Sequence, residues 1–494
     1  MVMIMQEDKF TTNQQETQNS GEPKLYTDDF LNFLRKRLEN SFDVNFREIE
    51  TKMGLVYLVY DGIATDKNYI SEFIIVPIMR HRHMDYDMDI LKKEIISANG
   101  MIDIVNKEDG LLKLMSGFAM LIIPHLNRIV AIEAIGYKTR PISIPVTEAV
   151  IKGPREGFVE DLATNASLIR RLIKNGDLKF ERLVIGQKSN TNVAMVYMNG
   201  IAPQGLVDYI REKLTTFNLD FVFSANYVEE RLKAKYTAFD TVGYTEKPDI
   251  AASKIAEGRV AIITDGTPFV ITAPYFFLEG FQAPDDYYMN IFFSNLVRLL
   301  RYFAFGIATL LPGFYVALVT YHFSLIPTVF TFRLAVSRAG IPFPTIVEVY
   351  MLYSFFLFIR EGSIRLPQPL GSSMSIVGAL ILGDALVASA LASNVTLIVI
   401  ALSSITSFLV PRYYGPLSLW GLMIIFFSSV LGFPGFYIGF IMFCSHISGL
   451  KTCGYPYVYP LGTVKELHYR DIVFRGFLNK MGVSIFAQNK KVKK

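Results

Sequence analysis

The chain has 494 residues, 51% apolar and 19% charged, with a net charge of +4. That length exceeds one ordinary domain. So small a net charge, with no basic stripe between stacking aromatics, excludes a nucleic-acid binder. Two cysteines, Cys444 and Cys453, are too few for a disulfide framework and lack the partners of a zinc site, so no metal or cofactor is expected.

Met1 to Lys24 is rich in Gln, Asn, Thr and Glu, and residues 1–28 read as a disordered tail. No apolar core follows a basic start, so no cleaved signal is expected. Residues 29–140 form a first α/β subdomain. Asp28 to Leu38 reads as a helix, and Leu55 to Tyr60 as a strand closed by the Asp61-Gly62 turn. Phe73 to Ile78 and Phe118 to Ile123 are apolar runs of buried-strand length.

Residues 141–290 form a second α/β subdomain. It opens on an irregular loop, Gly153-Pro154-Arg155-Glu156-Gly157-Phe158. An amphipathic helix follows over Leu162 to Ile173, then strands at Leu178 to Ile185 and Val193 to Met198, and a helix at Gly205 to Leu214. Val260 to Ile263 and Pro268 to Thr272 form a hairpin about Asp265-Gly266. Leu55 to Ala64 aligns with Val193 to Ala202, each a strand, an Asp/Asn-Gly turn and Ile-Ala. The two subdomains therefore read as similar units.

Residues 296–450 belong to a different solvent. Strictly between Arg301 and Lys451 the charged residues are Arg333, Arg338, Glu348, Arg360, Glu361, Arg365, Asp384 and Arg412, and no lysine occurs. A polar first part and a charge-starved second part predict a soluble region followed by an all-α, multi-pass transmembrane bundle. About five spans are expected: Phe303 to Thr320, Thr345 to Ile359, Ser373 to Ala392, Val395 to Val410, and Leu417 to Ile447. The last either kinks or turns back at Gly432-Phe433-Pro434-Gly435. Val329 to Val336 is too short to span and reads as interfacial. Residues 451–494 form a basic tail that prefers the cytoplasm.

Charge inside a bilayer draws attention first. Asp384 lies mid-span, beside Gly383, on a helix with Ser389 and other small residues at four-residue steps, the pattern of close helix approach. These residues, with Glu348, are the candidate ion path. Glu348 also has capping-box spacing from Thr345, which would place its carboxylate at the head of its own helix. Arg155, Glu156 and Phe158, carried by Gly153 and Pro154, are the candidate domain or subunit contact, with capping of the next helix as the alternative. His81 and His83, near Asp85 and Asp87, read as a solvated loop. No P-loop, dinucleotide fingerprint, nucleophile elbow or zincin motif occurs, so no enzyme is expected.

Several runs together resemble the spore germination protein A-subunit family, the GerA family. They are Val150 to Ile173, Gly258 to Phe269, Ile341-Pro-Phe-Pro344, Arg365 to Pro369 and Ser375 to Ala379. The resemblance implies a two-part cytoplasmic domain on a helical membrane domain in the spore inner membrane. It implies a homo-oligomeric, cation-releasing channel acting in germinant response. Its implied partners are a transporter-like B subunit, a lipoprotein C subunit or small SpoVA-type membrane proteins, besides membrane lipid. The tail from Ser448 to Leu461 is closer to the SpoVAF branch, which implies an amplifier of germination in place of a nutrient sensor. A non-conducting scaffold or signal-coupling subunit, or a secondary transporter, are the alternatives.

Overall fold

The computed structural model describes residues 25–83, 87–96, 98, 100–136, 148, 150–216, 219–365, 385–461, 471 and 473–477. The chain divides into two units: Met1–Glu39 with Asp43–Gly136, and Asn40–Phe42 with Tyr137–Lys494. The division leaves the second sheet and the apolar helices in one unit.

In the first unit five strands form one sheet: β1 (Val44–Thr51), β2 (Gly54–Asp61), β3 (Met101–Asp103), β4 (Phe118–Ile123) and β5 (Arg128–Glu133). Their order is β1-β2-β4-β5-β3 and every neighbouring pair is antiparallel. Strand alternation sorts the side chains onto two covered faces. Ala119, Leu121 and Ile123 join one apolar cluster, while Met120 and Ile122 join the other, with α1 (Thr27–Arg37) and α2 (Lys107–Met115). The Asp61-Gly62 turn forms because Asp61 Oδ1 accepts the Ile63 N–H at 2.8 Å and the Ala64 N–H at 3.1 Å. Residues 1–24 of the expected tail lie outside the described residues, but Thr27 already begins α1.

Phe73 to Ile78 is helical, which corrects the strand reading. The buried residues there are Ile74, Ile75 and Ile78, at i, i+1 and i+4. That spacing marks one helix face, and a continuous apolar run hides it.

The second unit repeats the topology. Strands β6 (Leu178–Ile185), β7 (Thr191–Met198), β8 (Gly243–Thr245), β9 (Val260–Thr264) and β10 (Val270–Ala273) lie in the order β6-β7-β9-β10-β8. The aligned runs at Leu55 and Val193 fall on β2 and β7, second in each order. One face packs on α4 (Gln204–Thr215) and α5 (Ala225–Leu232). The other packs on α3 (Leu162–Leu172) and α6 (Pro248–Ala256).

Among the described residues six helices of ten residues or more follow: α7 (Ile291–Val316), α8 (Thr328–Ser337), α9 (Thr345–Arg365), α10 (Asn394–Ser407), α11 (Tyr414–Leu431) and α12 (Phe433–Gly449). Helix α7 packs against α9, α10, α11 and α12. Gly313 lets α11 close in, since a Cβ there would lie 2.7 Å from Ile424. Two helical segments among the described residues, Ile291–Tyr321 and Pro411–Leu431, are long and apolar enough to cross a membrane. Helix α10 has 14 residues, roughly 21 Å at 1.5 Å per residue, against a hydrocarbon core of about 30 Å. Helix α9 carries Glu348 at one end and Arg360, Glu361 and Arg365 at the other. Of the expected span over Ser373 to Ala392, residues 373–384 lie outside the described residues.

The break at Gly432 is a reversal. Gly432 has φ +66° between α11 and α12, a region that favours glycine. The rings of Trp420, near the start of α11, and Phe443, near the end of α12, are 5.4 Å apart, so the two helices run antiparallel. Helix α12 ends beside the second sheet. There β11 (Lys451–Thr452) pairs with β12 (Tyr455–Pro456), and the Thr452 hydroxyl donates to Thr241 O at 2.6 Å. The segment after α12 therefore lies at the sheet end of the helices.

Candidate functional site

Three ion-pair clusters lie along the region between the second sheet and the apolar helices, all within the second unit. The first is at the head of β9. Arg259, with a side chain 2% exposed, pairs with Glu279 and donates to Pro274 O at 3.3 Å. Lys254 Nζ reaches Glu279 Oε2 at 2.8 Å, and the Phe276 N–H donates to Oε1 at 2.9 Å. Burial alone would push the Glu279 carboxyl up, but Arg259 and Lys254 outweigh it and hold it at about 2.

The second cluster fixes the turn before α11. Arg412 Nη2 lies 2.5 Å from Glu148 Oε1, and Nη1 donates to the Tyr275 hydroxyl at 3.4 Å. Glu148 Oε2 accepts from the Thr245 hydroxyl at 2.5 Å, which ties the pair to β8.

The third cluster sits at the base of α7. Asp286 accepts from Arg298 Nε at 3.3 Å and Arg301 Nη1 at 2.7 Å. Arg298 Nη1 also reaches Asp471 Oδ1 at 2.7 Å, and the Tyr287 hydroxyl donates to Asp471 Oδ2 at 2.5 Å. Arg475 Nη1 donates to the backbone of Asp286 and Met289, at 2.5 and 3.0 Å. The C-terminal segment thus binds the point where the α/β structure gives way to apolar helix. Charges so buried are held only where their partners remain in place.

Between the clusters lies an aromatic hub of Phe239, Phe277, Phe281, Phe305, Tyr413 and Phe443. The Tyr413 hydroxyl donates to Phe277 O, and its ring lies 5.2 Å from Phe281. Gly280 is required there, because any Cβ would overlap the Tyr413 ring.

Farther along the helices, Glu348 is fully buried on α9. Its Oε2 accepts the Ser393 N–H and the Thr396 hydroxyl, each at 3.0 Å. Thr396 has one hydroxyl proton, so Tyr315 and Ser393 donate to its oxygen, at 3.0 and 2.7 Å. Arg338, after α8, faces Oε1 at 3.5 Å. The capping-box reading is therefore corrected. Among the described residues the Thr345 hydroxyl finds no partner, and Glu348 caps α10, a neighbouring helix. Glu348 thus touches α10 and Arg338 directly, and α7 joins the cluster through Tyr315 and Thr396.

Asp384 and Gly383 lie outside the described residues. Ser389 is exposed and its hydroxyl donates to Leu386 O at 3.3 Å. In the contact loop, Phe158 is 2% exposed and its N–H donates to Glu246 O at 2.7 Å. Glu156 pairs with Arg171 of α3, and Pro154 O accepts from Lys247 Nζ at 2.5 Å. Gly153, at φ +129°, lies against the Tyr288 ring. Arg155 is exposed. Sequence reasoning missed Asp286, Arg298, Arg301 and Asp471. The available signal was Arg298 and Arg301, three apart at the head of an apolar helix, with Asp286 before them.

Sheet, hub and helices define a class: a duplicated α/β module wired by buried ion pairs to an apolar helical bundle. A family described as Bacillus/Clostridium GerA spore germination protein matches residues 32–483. Spore germination protein KA of Bacillus subtilis (strain 168) is 34% identical, over 89% of this chain and 82% of its own. Uncharacterized membrane protein YfkQ of the same strain is 34% identical, over 90% of this chain and 88% of its own. Spore germination protein B1 of that strain is 29% identical, over 90% and 93%. The crystal structure of the N-terminal domain of the A subunit of the Bacillus megaterium spore germinant receptor GerK3 matches at 28% identity and a TM-score of 0.41. It covers 52% of this chain and 99% of that chain. The chain belongs to the GerA family of spore germination proteins.

Proposed function

We propose that this chain is a multi-pass membrane subunit of a spore germination complex, and that copies of it assemble into an ion-conducting channel. The duplicated α/β module lies in the cytoplasm and couples partner state to the bundle through the ion-pair clusters. A transporter-like B subunit, a lipoprotein C subunit or small SpoVA-type membrane proteins are its proposed partners. Outward-facing apolar side chains on the helices, such as Phe303, Phe358 and Ile441, support burial in lipid.

The observation that carries the reading is Glu348. A fully buried acid at the meeting of four elements in an apolar bundle costs several kcal/mol unless it is paired or serves an ion. Its pairing to Arg338 is long, at 3.5 Å, and leaves Oε1 the oxygen that could face a path while Oε2 stays bonded to Ser393 and Thr396. Asp384, Gly383 and Ser389 complete the proposed path, and Arg155 is the exposed part of the proposed subunit contact. Purified protein in liposomes should pass cations above the empty-liposome rate. Glu348→Gln and Asp384→Asn should each change that rate about tenfold, with normal protein yield. No flux from the wild type would leave a scaffold, and flux coupled to a co-substrate gradient would make it a transporter.

The SpoVAF-like tail supports a role as amplifier. Deleting the gene should then slow germination with every germinant tried; loss of response to one germinant alone would overturn that role.

A further inference from the structure

A second site lies apart from the ion-pair clusters, where α12 meets the second sheet. An open groove of about 1080 Å³ is walled by α4, α5, residues 233–237 and the turn after Gly449. Its chemistry is one-sided. Lys213, Arg231, Lys235 and Lys451 line it and make no ion pair with a described carboxylate. Lys213 lies 5.5 Å from the Tyr209 ring, and Arg231 donates to the Thr216 hydroxyl at 3.3 Å. Those neutral partners orient the two cations without cancelling their charge. Lys233 is satisfied by Asp240 and Glu229, and among the described residues Glu230 is the one acid on the wall.

Two further observations fix the kind of anion. Tyr236 is 99% exposed at φ +59°, so the backbone holds an aromatic ring out into solvent. Tyr227, also on the wall, is 38% exposed. Tyrosine rings with one polar end favour the headgroup layer of a bilayer. The groove also begins where α12 ends, at Gly449, Leu450 and Lys451. Helix α12 keeps Tyr437, Ile438, Ile441 and Met442 exposed along its length. A ligand with an anionic head in the groove and apolar tails beside α12 would satisfy both surfaces.

We propose that this groove holds the headgroup of an anionic phospholipid, with the four basic side chains around its phosphate. The α12 C-terminus opposes this, since its carbonyls carry roughly half a negative charge. Four cations near the surface of an anionic leaflet outweigh that term. The site rests on the membrane reading above, and it would tie the position of the second sheet to the lipid beneath it.

Native mass spectrometry tests it. Full-length protein is equilibrated in micelles with equal phosphatidylglycerol and phosphatidylcholine. The wild type should retain phosphatidylglycerol at least fivefold over phosphatidylcholine. The combined Lys213→Gln, Arg231→Gln, Lys235→Gln and Lys451→Gln variant should bring that ratio near one, and Tyr236→Ser should lower it without changing charge. Lys36→Gln with Lys67→Gln, on the first unit, should leave it unchanged. Equal retention by the wild type, or unchanged selectivity in the combined variant, overturns the proposal. Displacement of the lipid by 10 mM inorganic phosphate would show a free-anion site and overturn it too. Recovery of the protein from cells without detergent would sink the membrane reading itself, which the lipid ratio does not test.

Discussion

Glu279 shows what a single side chain does at the junction. Its carboxyl is held at about 2, so the folded state binds its proton more weakly than the unfolded chain does. The stability this contributes is fully present above the usual carboxyl value of about 4.5. It is lost as pH falls from there through about 2. A fall from 4.5 to about 2 corresponds to roughly 3 kcal/mol, at about 1.4 kcal/mol per pH unit. Glu279→Gln should therefore lower stability at pH 7 by about 3 kcal/mol, leaving the buried Arg259 with Glu257, at 3.2 Å, as its remaining carboxylate partner. It should also flatten the acid limb between pH 4.5 and 2, measured by denaturant titration across pH. An unchanged acid limb would show that the pairing carries no such energy. None of this was legible in Glu279 as a letter, because its partner Arg259 lies across a hairpin.

At the scale of elements, the helical hairpin of α11 and α12 depends on small residues. A Cβ on Gly435 would collide with the Phe427 backbone carbonyl, which cannot swing aside. Gly435→Ala should destabilise the detergent-purified protein by about 1–3 kcal/mol, at the upper end because backbone must move. Gly415→Ala, with nothing within 4 Å, should be neutral or slightly stabilising. Melting temperatures of the pair decide it; equal losses would refute the packing argument. The strands were legible where turn signals bounded them: Leu178 to Ile185 is β6 residue for residue, and the Asp265-Gly266 turn joins β9 to β10. Phe73 to Ile78 failed because a six-residue apolar run fits a buried strand and a buried helix equally well.

Across the whole second unit, the C-terminal segment acts as a clamp on the base of α7. Asp471→Asn should weaken its hold on Arg298 and Tyr287. Limited proteolysis should then cut the tail several-fold faster, with the α/β core intact; unchanged cleavage would show that the ion pair does not retain the tail. Patterning alone separated a polar α/β part from an apolar helical part, and the match of Leu55 to Ala64 with Val193 to Ala202 pointed to two similar subdomains, whose shared strand order only the structure shows. The first follows from local composition, which each segment carries by itself, and the second from a short match between two segments. Only the tertiary structure decided that Glu348 caps α10, that Asp286 and Asp471 share Arg298, and that α12 turns back toward the sheet. Those contacts join residues from 12 to 211 positions apart. Ion pairs and close helix contacts of that kind depend on three-dimensional position, and a linear spacing rule carries no information about it.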